Sequence, residues 1–164
     1  MKPTDTLTTT IFSHNLWANQ RLLQACAGLS DEQMAATLLG TYGSLQDTLQ
    51  HFVRSEEYYL HRIRTGQSLP RRENQPPMTI DEMLESVGKS GTGLIEWASK
   101  VQADDVVLLN WKDDTQRQVP KAIILNQAIN HATEHRAQVM AILTQLGIEP
   151  PDVSSWSYFE ALDA

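Results

Sequence analysis

The sequence has little cysteine and no long apolar run. Its 164 residues include a single cysteine, Cys26, which excludes an internal disulfide framework and is typical of a reducing compartment. No stretch approaches the roughly 20 apolar residues of a membrane-spanning helix, and the polar start MKPTDTLTTT has no apolar signal core. We therefore expect a cytoplasmic protein with no membrane partner. Cys26 falls in an apolar helical pattern, so we interpret it as a small buried residue rather than a reactive thiol.

Positive charge is also scarce. Thirteen Lys and Arg stand against 20 Asp and Glu, which gives a net charge of −7 at pH 7. A nucleic-acid-binding surface needs an excess of positive charge, so the composition argues against that class of partner. The length predicts one domain over residues 1–164 with a sizeable core.

Four long amphipathic patterns organise the chain. Helices are predicted over roughly 6–27, 44–65, 79–100 and from Pro120 to 146, because their apolar residues recur at steps of three and four. SLQD at 44–47 and TIDE at 79–82 read as capping boxes, and Gly66 and Gly147 as helix stops. Shorter helices are predicted at SDEQ and in the C-terminal tail.

Before the last long helix the pattern changes to DVVLLNW, KDDT and QRQV, which is typical of a small hairpin. The chain is therefore predicted to be all-α, an antiparallel four-helix bundle with a small hairpin or irregular link before the last long helix.

Two histidines lie four residues apart in the last long helix, within NQAINHATEHRAQVM. At 100° per residue, His135 falls in the middle of the apolar stripe and His131 near its edge. Both rings should therefore point into the bundle, one turn apart, where two imidazoles can share one metal ion. The alternative is a pair of core residues joined by hydrogen bonds.

A stable metal site needs at least a third ligand. His51 flanks the apolar stripe of the second long helix and is the better candidate. His61 is expected to be a solvated residue near the end of that helix. The role of His14 is left open between a hydrogen bond to a metal ligand and a contact with the substrate.

Glu56 falls close to the centre of the apolar stripe of the second long helix. A carboxylate in that position needs a partner. We favour a buried hydrogen bond to a neighbouring helix, for instance to Asn15 or Trp17, over a role as an acid or base linked to the metal.

Together these segments resemble the DinB-like family of metal-dependent helical-bundle proteins, which is related to the bacillithiol and mycothiol S-transferases. The resemblance is carried by HNLWANQRLLQA, GSLQDTLQHFVRSEEYYLHRI and LNQAINHATEHRAQVMAILTQLG, over about residues 8 to 148, and its most specific part is NH…HR.Q. It implies an antiparallel four-helix bundle with a divalent metal held by three histidines, which match His51, His131 and His135. Many members have another histidine where this chain has Gln127, and many read His-His-Arg-Gly-Gln where this chain has glutamate at Glu134 and alanine at Ala137, so the substrate is left open.

The resemblance implies a metal-dependent thiol S-transferase, in which a low-molecular-weight thiol attacks a small-molecule electrophile. A metal-dependent hydrolase and a non-catalytic metal-binding homodimer are the alternatives. Zinc or nickel is the expected metal, although three imidazoles also suit copper or iron.

Two further features of the sequence bear on these alternatives. HATEH also matches the H-x-x-E-H pattern of a protease class, but little chain follows His135 and Glu134 should point away from it, so we reject that interpretation. The tryptophans Trp97, Trp111 and Trp156 are expected to be core residues, with anchors for a second subunit as the alternative.

Overall fold

The computed structural model describes residues 6–69, 76–111, 113 and 115–163. Within these residues the chain forms six helices and one two-stranded sheet. In chain order they are α1 (Leu7–Cys26), α2 (Asp31–Met34), α3 (Leu45–Thr65), α4 (Ile80–Ala98), β1 (Val106–Asn110), β2 (Gln116–Pro120), α5 (Lys121–Gln145) and α6 (Ser155–Leu162). The expected mainly helical fold, with a hairpin before the last long helix, is confirmed.

Local signals set the helix ends. The helices α1 to α4 each begin with a capping box, whose N-cap residues are Thr6, Ser30, Ser44 and Thr79. In each box a Ser or Thr side chain satisfies a backbone N–H that has no partner within the helix. Helix α3 ends at Gly66, whose φ of 70° is the left-handed conformation that glycine adopts without strain. Pro120 stands directly before α5, where its missing N–H costs no helical bond.

Each of the four long helices contacts two of the other long helices. Helix α1 contacts α4 and α5, and α3 contacts the same two helices. This arrangement buries an apolar core, whose largest fully buried side chains include Phe52, Leu22 and Leu49. None of the helices in the described residues is both long and apolar enough to cross a membrane.

Helix α4 approaches its neighbours closely through two glycines. A Cβ atom on Gly91 would lie 2.7 Å from Leu16 Cδ1 of α1, and one on Gly93 would lie 2.6 Å from Leu60 Cδ2 of α3. Real Cβ atoms do not approach other heavy atoms so closely, because interiors are already close-packed. The absence of side chains at these positions therefore lets α4 lie against both helices.

The hairpin covers one end of the core. Strands β1 and β2 pair antiparallel, from Val106 opposite Pro120 to Asn110 opposite Gln116. Val107 and Leu109 of β1 are buried against the core, whereas the side chains of β2 are mostly exposed. Two residues of the predicted turn, 112 and 114, lie outside the described residues.

The expectation that three tryptophans belong to the core is wrong for two of them. Trp97 packs against the core partly buried, but Trp111 is 44% exposed and Trp156 is 80% exposed. Trp111 lies at the end of the hairpin, where the Arg117 guanidinium sits 4.9 Å from its ring centre. Trp156 is in the first turn of α6, a helix with no buried residue.

Candidate metal centre

Three histidines from two helices meet in one cluster. His51 comes from α3, and His131 and His135 come from consecutive turns of α5. One ligand nitrogen from each ring can be chosen so that all three lie within 4.8 Å of one another. The Nε2 atoms of His51 and His131 are 3.1 Å apart. The structure thus brings together the three residues that the sequence and its resemblance single out.

The three rings are shielded from water to different degrees. His135 is only 5% exposed, and the other two rings are half-buried. Burial, and then the neighbouring His135, lower the pKa of His51. Burial, followed by His135 and His51, lowers the pKa of His131 to about 4. Both rings are therefore neutral at neutral pH, and neutral imidazole is the form that binds metals.

Gln138 fixes which nitrogen of His135 is available. Its Oε1 accepts a hydrogen bond from the backbone N–H of Tyr42 at 3.2 Å and lies 2.9 Å from His135 Nδ1. Because an amide oxygen only accepts, His135 Nδ1 must donate and carry the proton. The lone pair of His135 is then on Nε2, as in metal-bound histidines whose other nitrogen is held by a hydrogen bond.

Two tyrosines border the cluster. The Tyr42 ring stacks on His51, with ring centres 3.8 Å apart and planes 10° apart. The Tyr59 ring meets His131 edge-on, with centres 5.6 Å apart. Burial raises the pKa of Tyr59, whereas a hydrogen bond from Gln127 and the charge of Arg62 lower it by less. Its phenol is therefore protonated at neutral pH.

Three imidazoles with convergent nitrogens are a donor set that fits a divalent first-row metal ion. The two departures from the family pattern do not alter this set. Gln127 and Ala137 are exposed, and neither belongs to the three-histidine cluster.

Glu56 is the centre of a separate buried network. Its Oε2 accepts from Asn15 Nδ2 at 3.2 Å and Asn19 Nδ2 at 2.9 Å, and its Oε1 accepts from Ser90 Oγ at 2.6 Å. Both asparagine oxygens accept from Arg136 Nη1 at 2.6 Å. The favoured interpretation as a buried hydrogen-bonded residue is confirmed, with Asn15 and not Trp17 as the partner.

This network joins all four long helices, since its members come from α1, α3, α4 and α5. Burial raises the pKa of Glu56 to about 7, and the hydrogen bonds and the charge of Arg136 oppose that rise. Burial lowers the pKa of Arg136 to about 10. Arg136 therefore stays charged at neutral pH, where Glu56 is close to its pKa, and the two asparagine amides link the two side chains.

The other two histidines lie elsewhere. His14 Nε2 is 2.8 Å from the carbonyl oxygen of Val153, and its ring lies near Trp17 and Tyr158. It therefore fastens the C-terminal tail to α1, a role that the sequence did not indicate. His61 is half-buried near the end of α3 and is not part of the cluster.

The remaining reactive candidates are set aside by the structure. Cys26 is buried, and burial raises its pKa to about 12, so its thiol stays protonated as expected of a core residue. Glu134 is exposed and is not part of the histidine cluster, which agrees with rejecting the protease pattern.

A groove of about 1030 Å³ borders the cluster at His51. It runs along α3, and its lining also includes Tyr42, Ser68 and Leu69. Small-molecule sites commonly have volumes of this order. The groove gives a ligand a way to reach the histidines.

Comparison with known proteins agrees with the resemblance. A model of the DinB family matches residues 1–161. The crystal structure of a DinB-like protein from Bacillus cereus ATCC 10987 is 18% identical, with 87% of this chain and 92% of that chain covered and a TM-score of 0.62. A DinB-like protein from Bacillus subtilis is 15% identical over 88% and 97% of the two chains, with a TM-score of 0.63. At these identities the structures show a shared fold. No curated protein sequence matches the chain.

Proposed function

The chain belongs to the DinB family, and from that premise we propose that it is a divalent-metal-binding protein acting as a thiol S-transferase. The observation that carries the proposal is the convergence of three imidazoles within 4.8 Å beside a groove that fits a small molecule. An antiparallel arrangement of the four long helices, as in metal-binding bundles, is part of the proposal.

His51, His131 and His135 would hold the ion, which we expect to be zinc or nickel. When bound, such an ion supplies Lewis acidity that favours the deprotonated form of a thiol brought next to it. Gln138 keeps the proton of His135 on Nδ1, away from the cluster. The stacked ring of Tyr42 holds His51 in place and limits access of water on that side.

In the net reaction a sulfur–carbon bond forms between thiol and electrophile. The bond from that carbon to its leaving group breaks, and the electron pair stays on the leaving group. The thiol proton is released to water in the groove. A metal-dependent hydrolase would differ in using water in place of the thiol, so the two activities can be separated by omitting the thiol.

The first experiment is elemental analysis of tag-free protein by plasma mass spectrometry. We expect about one metal per chain, lost in His51→Ala and in His135→Ala. His61→Ala is the matched control, since it lies on the same helix outside the cluster and should keep its metal. Folded wild type that holds no metal, and takes up none when zinc or nickel is offered, would overturn the proposal.

Turnover is then measured with bacillithiol, mycothiol or glutathione and a panel of electrophiles. Thiol-dependent loss of the electrophile supports the transferase. Turnover that is unchanged when the thiol is omitted favours the hydrolase, and metal binding without turnover favours the non-catalytic alternative.

A cytoplasmic homodimer is the remaining part of the proposal. Trp156, Phe159 and Leu162 of α6 are 80%, 52% and 44% exposed, and aromatic residues of this kind are enriched in subunit interfaces. Sedimentation velocity at several concentrations tests the dimer, and a monomer at every concentration would remove it.

A further inference from the structure

The groove beside His51 is lined by one side of α3. At 100° per residue, Arg54, Ser55, Tyr58 and Arg62 all lie within about 60° of the direction of His51, and all of them line the groove. Arg62 is about 16 Å further along the helix axis than His51, at 1.5 Å per residue. A ligand in the groove can therefore contact the two arginines and the histidine cluster along the same side of α3.

One buried nitrogen of each arginine lacks a hydrogen-bond partner. The Nε atoms of Arg54 and Arg62 are buried and have no hydrogen-bond partner within the described ranges 6–69, 76–111, 113 and 115–163. The ion pairs found in that part of the chain involve other residues, Lys89, Lys100 and Arg117. Polar groups buried in this way are normally hydrogen-bonded, and a solvated surface arginine would expose its Nε to water.

Charged residues are distributed unevenly along the groove. Its acidic residue, Asp47, precedes His51 on α3, and its carboxylate accepts hydrogen bonds from the N–H and hydroxyl of Ser44 at the helix cap. Both arginines follow His51. In a chain with a net charge of −7, this concentrates positive charge on one half of the groove, which favours a ligand with its negative group there.

We propose that this groove binds a small molecule that carries carboxylates, with these groups on Arg54 and Arg62 and its other end beside His51. The planar guanidinium matches a carboxylate with paired, charge-assisted hydrogen bonds. The role of the ligand as a substrate rests on the proposed function. The anion site itself does not rest on it. The inference thus narrows the substrates of the proposed reaction to acidic ones.

The test measures binding in metal-free protein, without thiol or electrophile. Citrate is the probe, and triethyl citrate, in which the carboxylates are esterified, is its uncharged counterpart. We expect citrate, but not the triester, to bind by isothermal titration calorimetry, with an affinity that falls as salt rises. Citrate should also shift the Nε–H signals of Arg54 and Arg62 in ¹⁵N-correlated NMR spectra, and leave that of Arg64 in place.

The variant Arg54→Ala/Arg62→Ala should bind citrate at least about tenfold more weakly. Arg64→Ala is the matched control, because Arg64 is an exposed arginine of the same helix that does not line the groove. Circular dichroism confirms that the variants fold. The double lysine variant keeps the charge but loses the forked geometry, so it should bind with intermediate affinity.

Equal binding of citrate and triester, no binding of citrate up to 10 mM as an order-of-magnitude limit for a weak ligand, or unchanged binding in the double alanine variant would each overturn the inference. Citrate binding through the arginines in a protein without transferase activity would leave the anion site standing and reject the proposed function. In active enzyme, the double variant should raise the KM for glutathione, which carries carboxylates, by a larger factor than the KM for uncharged 2-mercaptoethanol.

Discussion

The interior contains two polar clusters, and α3 and α5 contribute to both. His51 and Glu56 are five residues apart on α3, and His135 and Arg136 are adjacent on α5. Around Glu56, both carboxylate oxygens and the facing arginine nitrogens have partners, through bonds of 2.6 to 3.2 Å. Among the histidines, the Nε2 atoms of His51 and His131 lie 3.1 Å apart, so one of them donates to the lone pair of the other.

This difference separates a structural network from a binding site. A buried polar network contributes to a unique fold when all its members are satisfied. A cluster of three imidazoles, with a ligand nitrogen of each within 4.8 Å of the others, instead offers a donor set for a cation. Adjacent residues of one helix can thus serve both purposes, because they point 100° apart.

The largest effect should come from breaking the satisfied network. Glu56→Ala leaves the charge of Arg136 buried without compensation, which should lower the free energy of unfolding by about 3–5 kcal/mol. His131→Ala removes one hydrogen bond of a half-buried ring and should cost about 1 kcal/mol. Urea unfolding of metal-free protein measures both. Equal losses of unfolding free energy in the two variants would show that the histidine cluster is also a structural network.

A smaller effect is expected from removing the hydrogen bond that orients His135 in the cluster. Gln138→Leu removes the acceptor at His135 Nδ1 and should weaken zinc binding about 10- to 100-fold in competition with a chromophoric chelator. Gln145→Leu is the matched control. Gln145 lies on the same helix and donates to the Thr37 carbonyl of the segment before α3, but it touches no histidine of the cluster. Equal losses in both variants would mean that Gln138 acts only by holding that segment.

The two clusters should also give stability opposite dependences on pH. The pKa of Glu56 is raised to about 7 in the folded state, so its contribution is complete below the unfolded pKa near 4.5 and is lost as pH rises through 7. The pKa values of His51 and His131 are lowered. Unfolded rings then bind protons that folded rings do not, and stability falls as pH drops below about 6.5.

In metal-free protein the two contributions should therefore oppose each other between about pH 4.5 and 6.5, each with a slope of up to about 1.4 kcal/mol per pH unit for each proton. Urea unfolding between pH 5 and 8 measures the profile. His131→Ala should make the change of stability with rising pH less positive between pH 5 and 6.5, and Glu56→Gln, which keeps the size of the side chain, should make it more positive. A slope that is the same in His131→Ala as in wild type would assign the acid side to other groups.

Much of the fold could be predicted from the sequence because its signals are local. Capping boxes, Gly66 and Pro120 act within one turn of chain, and the structure places helix ends beside them. His131 and His135 were predictable as a pair for the same reason, since a spacing of four residues puts both on one side of a helix. His51 was favoured over His61 by its position beside the apolar stripe, and the family resemblance selected the same residue.

The contacts that the sequence did not indicate are long-range. Gln138 reaches Tyr42, 96 residues away, and His14 reaches Val153, 139 residues away. Tyr42 lies outside the regular helices, where no periodicity shows which way a side chain points. Gln138 did carry a usable signal, since it lies three residues after His135 and therefore on the same side of α5.

The close approach of α4 to its neighbours has a consequence for how this sequence can diverge. At Gly91 and Gly93 the space that a side chain would take is filled by Leu16 and Leu60. Overpacking such an interface is destabilising, whereas exchanges that conserve total volume are tolerated. Residues 16 and 91 should therefore vary as one compensating pair among homologues, and residues 60 and 93 as another, with a larger residue on α4 matched by a smaller one on the facing helix.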